Sequence, residues 1–349
     1  MIPVALAPNL IDHFYRGGDR IAALRGIQQT SEYQPEEWLA STVSRAGEPV
    51  SGLASTLAGD LLRDLVAADP AGWVGADHAA APSASDVGLL VKLLDARQRL
   101  PVHVHPNRDF AASHLGCPYG KTEAWFILDT EPGAAVHLGW NTAIDRAELE
   151  RRMDVQDSEW MLAHMNRVEV ARGMGVLVPA GTAHAIDGGI FLTEVQEPTD
   201  FSILLEWSIT TSTRDDSHLG LGFQAVLPAV SVDALPIAML ETLVVRHDLE
   251  ARPMASVSLL PKAADPYFRL NRVAEGASNS APRDSGFAVA LVLDGSGCLL
   301  GDGEIEFSAG QAFAIPASFG AWRVKGGGQL LVASAGVGWP SSISGGGIR

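Results

Sequence analysis

Cysteine is scarce in this chain. Cys117 and Cys298 are the two among 349 residues, and they lie far apart. That fits a reducing compartment better than a disulfide framework. Basic residues are also few: 25 Lys and Arg stand against 41 Asp and Glu, for a formal net charge of -16. No run of about five basic residues occurs, so a nucleic-acid surface, which needs clustered cations, is not expected. No apolar run approaches the ~20 residues of a membrane helix. The start, "MIPVALAPNLIDHFYRGG", lacks the basic and apolar blocks of a secretory signal, so a cytoplasmic protein with no membrane partner is expected.

What is present is apolar. Hydrophobic residues make up 47% and charged residues 19%, enough to bury a sizeable core and to exclude disorder. Gly 36 and Pro 20 supply many turns, which favours short strands over long helices. The length suits two domains.

Along the chain, residues 59–68 of "TLAGDLLRDLVAADP" carry helical spacing and are expected to stop at the proline. "VGLLVKLLDA" (87–96) reads as a strand buried on both faces, although its length also allows a helix. Residues 145–165 turn charged and helical, and read as a short insertion of two helices in a β domain. Residues 211–250 form a partly helical connector, and 251–349 return to strands with frequent turns. "EGASNSAPRDSG" (275–286) reads as a loop and "SSISGGGIR" as a mobile tail. Gly173 and Gly310 are each followed five residues later by proline, in "PAGTAH" and "PASFGA", which suggests an internal duplication.

Chemistry concentrates in three stretches. In "RLPVHVHPNRD" (99–109), strand alternation puts His103 and His105 on one face and Val102 and Val104 on the other. Alone, such a pair reads as a surface feature at a strand edge. "GKTEAWFIL" adds Glu123 at the start of another strand, and "GMGVLVPAGTAHAI" adds His184 after a tight turn. Three imidazoles and a carboxylate suit Zn²⁺, and also Fe²⁺, Mn²⁺ or Co²⁺.

The order HxH, Glu, then G-x5-P-x-G-x2-H (Gly173, Pro179, Gly181, His184) resembles the two-part signature of cupin barrels. The second β unit has Ala321 where His184 stands and would hold no metal. "GLLVKLLDARQRLPVHVHPN", "YGKTEAWFIL" and "PAGTAHAIDGGIFLTEVQEPTD", with "PEEWLAS" upstream, resemble the type I mannose-6-phosphate isomerases, most closely their short bacterial form. The resemblance implies a mainly β fold of two tandem cupin-type (jelly-roll) barrels. The metal-binding domain would occupy 1–210 and a metal-free one 251–349. It implies metal ligands at His103, His105, Glu123 and His184, substrate-binding lysines at Lys92 and Lys121, and catalytic groups among Lys121, Glu194 and Asp200. On their own, Lys92 reads as a rim lysine, Lys121 as a turn residue, and Glu194 and Asp200 as a solvated rim.

Two departures stand out. His103 replaces the Gln usual in the family. Leu204, in "DFSILLEW", stands where the family has an arginine. Arg16, Arg20, Arg25 and Arg97 are the substitute cations considered. The expected activity is a zinc-dependent (or Mn-, Fe- or Co-dependent) interconversion of mannose 6-phosphate and fructose 6-phosphate through a metal-stabilised enediolate, by a monomer or homodimer. The alternatives are an isomerase of another or an unphosphorylated aldose, a non-catalytic sugar-binding cupin and, ranked behind them, a cupin oxygenase.

Overall fold

Strands joined in antiparallel pairs, several of them buried at every position, form the framework of the chain. The computed structural model describes residues 1–250, 256–274 and 286–344. The first strands are β1 (Val4–Ala5), β2 (Leu10–Ile11), β3 (Glu36–Leu39), β4 (Leu90–Ala96), β5 (His103–Val104), β6 (Glu123–Thr130) and β7 (Ala135–Trp140). They are followed by β8 (Met165–Glu169), β9 (Met174–Val178), β10 (His184–Ile186), β11 (Ile190–Gln196), β12 (Ile203–Leu204) and β13 (Val244–Arg246). Within the described residues these make a five-stranded sheet, β12-β5-β10-β7-β8, and a seven-stranded sheet, β13-β9-β6-β11-β4-β3-β2.

The last part of the chain adds β14 (Val257–Ser258), β15 (Phe268–Ala274), β16 (Ala288–Asp294), β17 (Ser296–Gly301), β18 (Gly303–Ser308), β19 (Ala312–Ile315), β20 (Arg323–Gly326) and β21 (Gln329–Ala335). They form a six-stranded sheet, β1-β19-β16-β21-β15-β14, and a three-stranded one, β18-β17-β20. β1 therefore crosses from the chain's beginning to pair with β19, with Val4 opposite Ala314.

Alternation explains the layering. In β16 and β21, Ala290, Val292, Leu330 and Val332 join Phe313, Phe319 and Trp322 in one core. Their neighbours Val289, Leu291, Leu331 and Ala333 belong to a second core with Val91, Leu93 and Val195 of the seven-stranded sheet. Every residue of β4 is buried, with Val91 and Leu93 in that second core and Lys92 lining a polar cavity. The pairing of β4 with β3 and β11 settles it as a strand. Each fully buried Leu, Val or Phe contributes about 1.5–3 kcal/mol to such cores.

The insertion contains helices at Arg146–Asp154 and Ser158–Ala163, capped by the side chains of Asp145 and Asp157. The connector holds a helix at Ile237–Thr242. The upstream helix runs over Leu62–Ala68, so it begins later than its spacing indicated. Pro70 does not simply end it. The proline opens a further helix, Pro70–Val74, whose N-cap Asp69 accepts from Gly72 N at 3.0 Å. Proline is tolerated at a first helical position because the N–H it lacks has no intrahelical partner there.

Gly173 and Gly310 both hold positive φ, +88° and +81°, each before a buried strand that ends next to proline. The tail expectation needs correction in part, because Ser341–Ser344 is helical. The rest of that tail and nearly all of the expected loop at 275–286 lie outside the described residues. No helix among the described residues is long and apolar enough to cross a membrane.

Candidate metal centre and adjoining cavity

The five-stranded sheet supplies the imidazoles. β10 pairs with β5 so that His184 lies directly opposite His103, and β12 sets Leu204 opposite His103 on the other side. Val102 and Val104 face away into a separate apolar cluster with Ile203 and Phe223. His105 lies just beyond the end of β5, where Gly181 N donates to its carbonyl at 2.7 Å. Gly181 holds φ +86°, which L side chains rarely adopt. An ion pair on the buried Glu206 secures the approach to His103. Arg99 donates to both carboxylate oxygens of Glu206 at 2.7 and 2.6 Å, and Glu206 also accepts from Val102 N at 2.9 Å.

The ligand nitrogens of His103, His105 and His184 lie within 4.8 Å of one another, the one such cluster of three among the described residues. All three rings are buried. Each Nδ1 sits on a backbone carbonyl: His103 on Pro101 at 2.8 Å, His105 on Phe201 at 2.7 Å, His184 on Thr182 at 2.8 Å. A carbonyl oxygen only accepts, so each Nδ1 carries a proton, and each Nε2 is turned inward. Burial, then the neighbouring imidazoles, keeps His103 well below the ordinary histidine range. Burial and the Lys121 charge push His105 down to about 3. Neutral rings are the metal-binding form.

Glu123, the first residue of β6, reaches two of the three rings. Its carboxylate oxygens are 3.0 Å from His105 Nε2 and 3.3 Å from His184 Nε2. Lone pairs therefore converge here on lone pairs. The Lys121 ammonium answers part of that excess, donating to His105 Nε2 at 2.8 Å and to Glu123 at 2.9 Å. His184 Nε2 is buried without a hydrogen-bond partner. This donor set fits a divalent cation. Gly120 makes the arrangement possible, because a Cβ there would lie 2.6 Å from Pro106 O. The close approach lets Lys121 N donate to Pro106 O at 2.9 Å and brings its side chain beside His105.

The seven-stranded sheet supplies a second polar row. Lys92 on β4 is paired directly with Glu194 on β11, and with Trp38 of β3 on its other side. Its Nζ lies 3.2 Å from Glu36, 3.6 Å from Glu194 and 4.7 Å from the centre of the Trp38 ring. Burial opposes the Lys92 charge, but Glu36 and then Glu194 overcome it and raise its pKa. Burial likewise works against the Glu36 charge, and Lys92, then His13, with hydrogen bonds from Tyr15 and Trp38, hold it far below the carboxylate range. Glu194 differs. Burial and the Glu123 charge push it up to about 7, with Lys92 and Lys121 only partly compensating.

One cavity of ≈ 680 Å³ joins these groups; His103, Lys121, Glu123, Lys92, Glu194 and Asp200 all line it. Asp200 stands apart from the others, accepting from Ala46 N at 3.3 Å. Glu36 and Tyr15 were missed from sequence. The available signal was the acidic pair in "PEEWLAS", where alternation sends Glu36 inward and leaves Glu37 to a 2.9 Å pair with Arg25.

No family profile matches the chain. The "Probable mannose-6-phosphate isomerase GmuF" of Bacillus subtilis is 26% identical to it over 331 residues, which cover 95% of this chain and 98% of that protein. The chain is thus similar to a mannose-6-phosphate isomerase over nearly its whole length. The crystal structure of the Bacillus subtilis mannose 6-phosphate isomerase superposes with a TM-score of 0.72 at 22% identity, over 95% of this chain and 99% of that one. A mannose 6-phosphate isomerase structure bound with zinc and yttrium gives 0.71 at 15% identity, over 97% of this chain and 100% of that one. The mainly β reading holds against this shared fold.

The cavity's cations are distinctive. Leu204 lines it, and none of Arg16, Arg20, Arg25 and Arg97 does. Arg20 is paired with Asp95 at 2.5 Å and Arg25 with Glu37, while Arg16 and Arg97 are exposed. Those four candidates are therefore set aside. The arginine that does line the cavity is Arg45.

Proposed function

We propose that this protein interconverts mannose 6-phosphate and fructose 6-phosphate, with a divalent cation, zinc foremost, held by His103, His105, His184 and Glu123. The observation that carries this reading is the convergence of three buried imidazoles and a carboxylate beside a buried glutamate whose pKa is pushed up to about 7. When bound, the cation would supply electrophilic stabilisation of the oxygens on the two reacting carbons.

The chain's own residues supply the rest. Isomerisation removes the proton from C2 of the aldose and returns one to C1, while the hydroxyl proton passes from O2 to O1. Glu194 is the group assigned to carry it, because a carboxylate near neutrality both takes and gives a proton at working pH. Lys92 orients Glu194 from the facing strand and keeps its ionised form accessible. Lys121, 4.0 Å from Glu194, is placed to donate to a substrate oxygen. Asp200 takes a position at the cavity wall rather than at the reacting carbons. A sugar-phosphate substrate fits a cytoplasmic setting.

The test is turnover of mannose 6-phosphate by purified protein reconstituted with Zn²⁺, read by coupled detection of fructose 6-phosphate. Turnover is expected, with loss on chelation and a fall of about 10²-fold or more in Glu194→Gln. Absence of turnover on any phosphorylated or free aldose, with the metal loaded, would refute the assignment. Leu204 and the exposed Asp12, Asp215 and Asp216 around the cavity favour a second reading, an unphosphorylated aldose, which the same sugar panel separates.

A further inference from the structure

Among the described residues, Lys92, Lys121 and Arg45 are the Lys and Arg side chains that line the cavity. Lys92 and Lys121 are committed to buried carboxylates, Glu36 at 3.2 Å and Glu123 at 2.9 Å. Arg45 is not so committed. Its Nη1 donates to the Asp12 carbonyl at 2.7 Å and lies 3.4 Å from Glu48, a half-exposed carboxylate. Its Nε is buried with no hydrogen-bond partner. A guanidinium Nε always carries a proton, so this is an unanswered donor, and such buried donors are rare in folded proteins.

A second orphan lies close by. His13 Nδ1 is also buried and without a partner, in the same cavity, while its Nε2 faces Glu36 at 3.5 Å. The charges of Arg45 and Asp200 both act on this imidazole. The loop carrying Arg45 is tied down through Arg45 N to Ser51 O at 2.8 Å and Glu48 N to Arg45 O at 3.0 Å. A row of polar groups therefore runs from the imidazole cluster through Glu194, Lys92 and Glu36 to His13 and Arg45. An open-chain six-carbon sugar with its reacting end at the imidazoles would extend along that row.

We propose that Arg45, with His13 beside it, is the specificity-determining residue that receives the 6-phosphate group, replacing the cation that Leu204 removes; this rests on the isomerase reading above. Guanidinium N–H groups match phosphate oxygens in geometry and charge. The nearby Asp12 and Asp200 repel a dianion, so the phosphorylated substrate depends on Arg45 more than a neutral sugar does.

The experiment compares wild type, Arg45→Met and Arg45→Lys, each reconstituted with Zn²⁺, on mannose 6-phosphate and on free mannose. Arg45→Met is expected to raise KM for mannose 6-phosphate by about 10- to 100-fold, with a much smaller effect on kcat and on mannose, and Arg45→Lys to recover part of the loss. An unchanged KM, an equal loss on both sugars, or a wild type that prefers mannose would overturn the proposal. If wild type turns over neither sugar, the isomerase reading fails first. Calorimetric binding of fructose 6-phosphate against fructose then decides this one: equal affinities in wild type, or no weakening in Arg45→Met, refute it.

Discussion

Replacing Lys92 by methionine would remove one positive charge from between two buried carboxylates while keeping most of the apolar stem. Lys92 is 3% exposed, and its Nζ lies 3.6 Å from Glu194 and 3.2 Å from Glu36. At ~4 Å and an effective dielectric of ~20, one such charge pair is worth about 4 kcal/mol. At about 1.4 kcal/mol per pH unit, its loss raises the Glu194 pKa by up to about three units. The acid limb of the pH–rate profile of mannose 6-phosphate isomerisation should therefore move upward by about one to three units in Lys92→Met. Stability should also fall, by about 3 kcal/mol near neutral pH, the low end for breaking a buried pair, because Glu36 keeps its donors Tyr15 and Trp38.

The pH dependence of that loss has a definite sign. Glu36 is depressed in the folded state, so its contribution is present above the unfolded carboxylate value and lost on acidification. Lys92 is raised, so its contribution is complete below its unfolded value of 10.5 and lost as pH rises through the folded value. The wild-type advantage should be greatest between roughly pH 5 and 10 and shrink outside that window. Urea unfolding of both proteins across pH measures it. An acid limb that stays in place or moves down, or a stability gap that widens below about pH 4.5, would show that the Lys92–Glu194–Glu36 electrostatics are misassigned.

Glu123→Gln should weaken zinc binding by at least about 10-fold, since it removes the one negative charge among the assigned ligands; competition with a chromogenic chelator reads this out, and unchanged affinity would exclude Glu123 as a ligand. Arg99→Met strands Glu206, which is buried and otherwise accepts from Val102 N. We expect a loss of about 2–4 kcal/mol in chemical unfolding, with zinc affinity falling less than in Glu123→Gln. A near-neutral effect would mean that the strand before His103 is held by packing alone.

Much of the site was legible because strand geometry is local. Alternation alone put His103 and His105 opposite Val102 and Val104, and the turn residues Pro179 and Gly181 marked where His184 would enter. Other parts were not legible, for reasons of distance along the chain. Glu36 lies 56 positions before Lys92 in the numbering, and only the β3–β4 pairing makes them neighbours. Arg45 sits in a loop with no periodicity, so nothing local separated it from Arg16, Arg20, Arg25 or Arg97. Pro70 was read as a stop because a proline at a helix start and one after a helix end look alike until the cap is seen.

The sequence by itself determined the secondary-structure period, the residue types able to bind a cation, and the absence of a cation at position 204, because each of these depends on a few neighbouring residues. Only the tertiary structure decided which arginine faces the cavity and which carboxylate is held near neutrality. Glu194, Glu123 and Glu36 are chemically the same group. Their pKa values separate through burial and through the charges that strand pairing places within about 4 Å, where Coulomb energies are large.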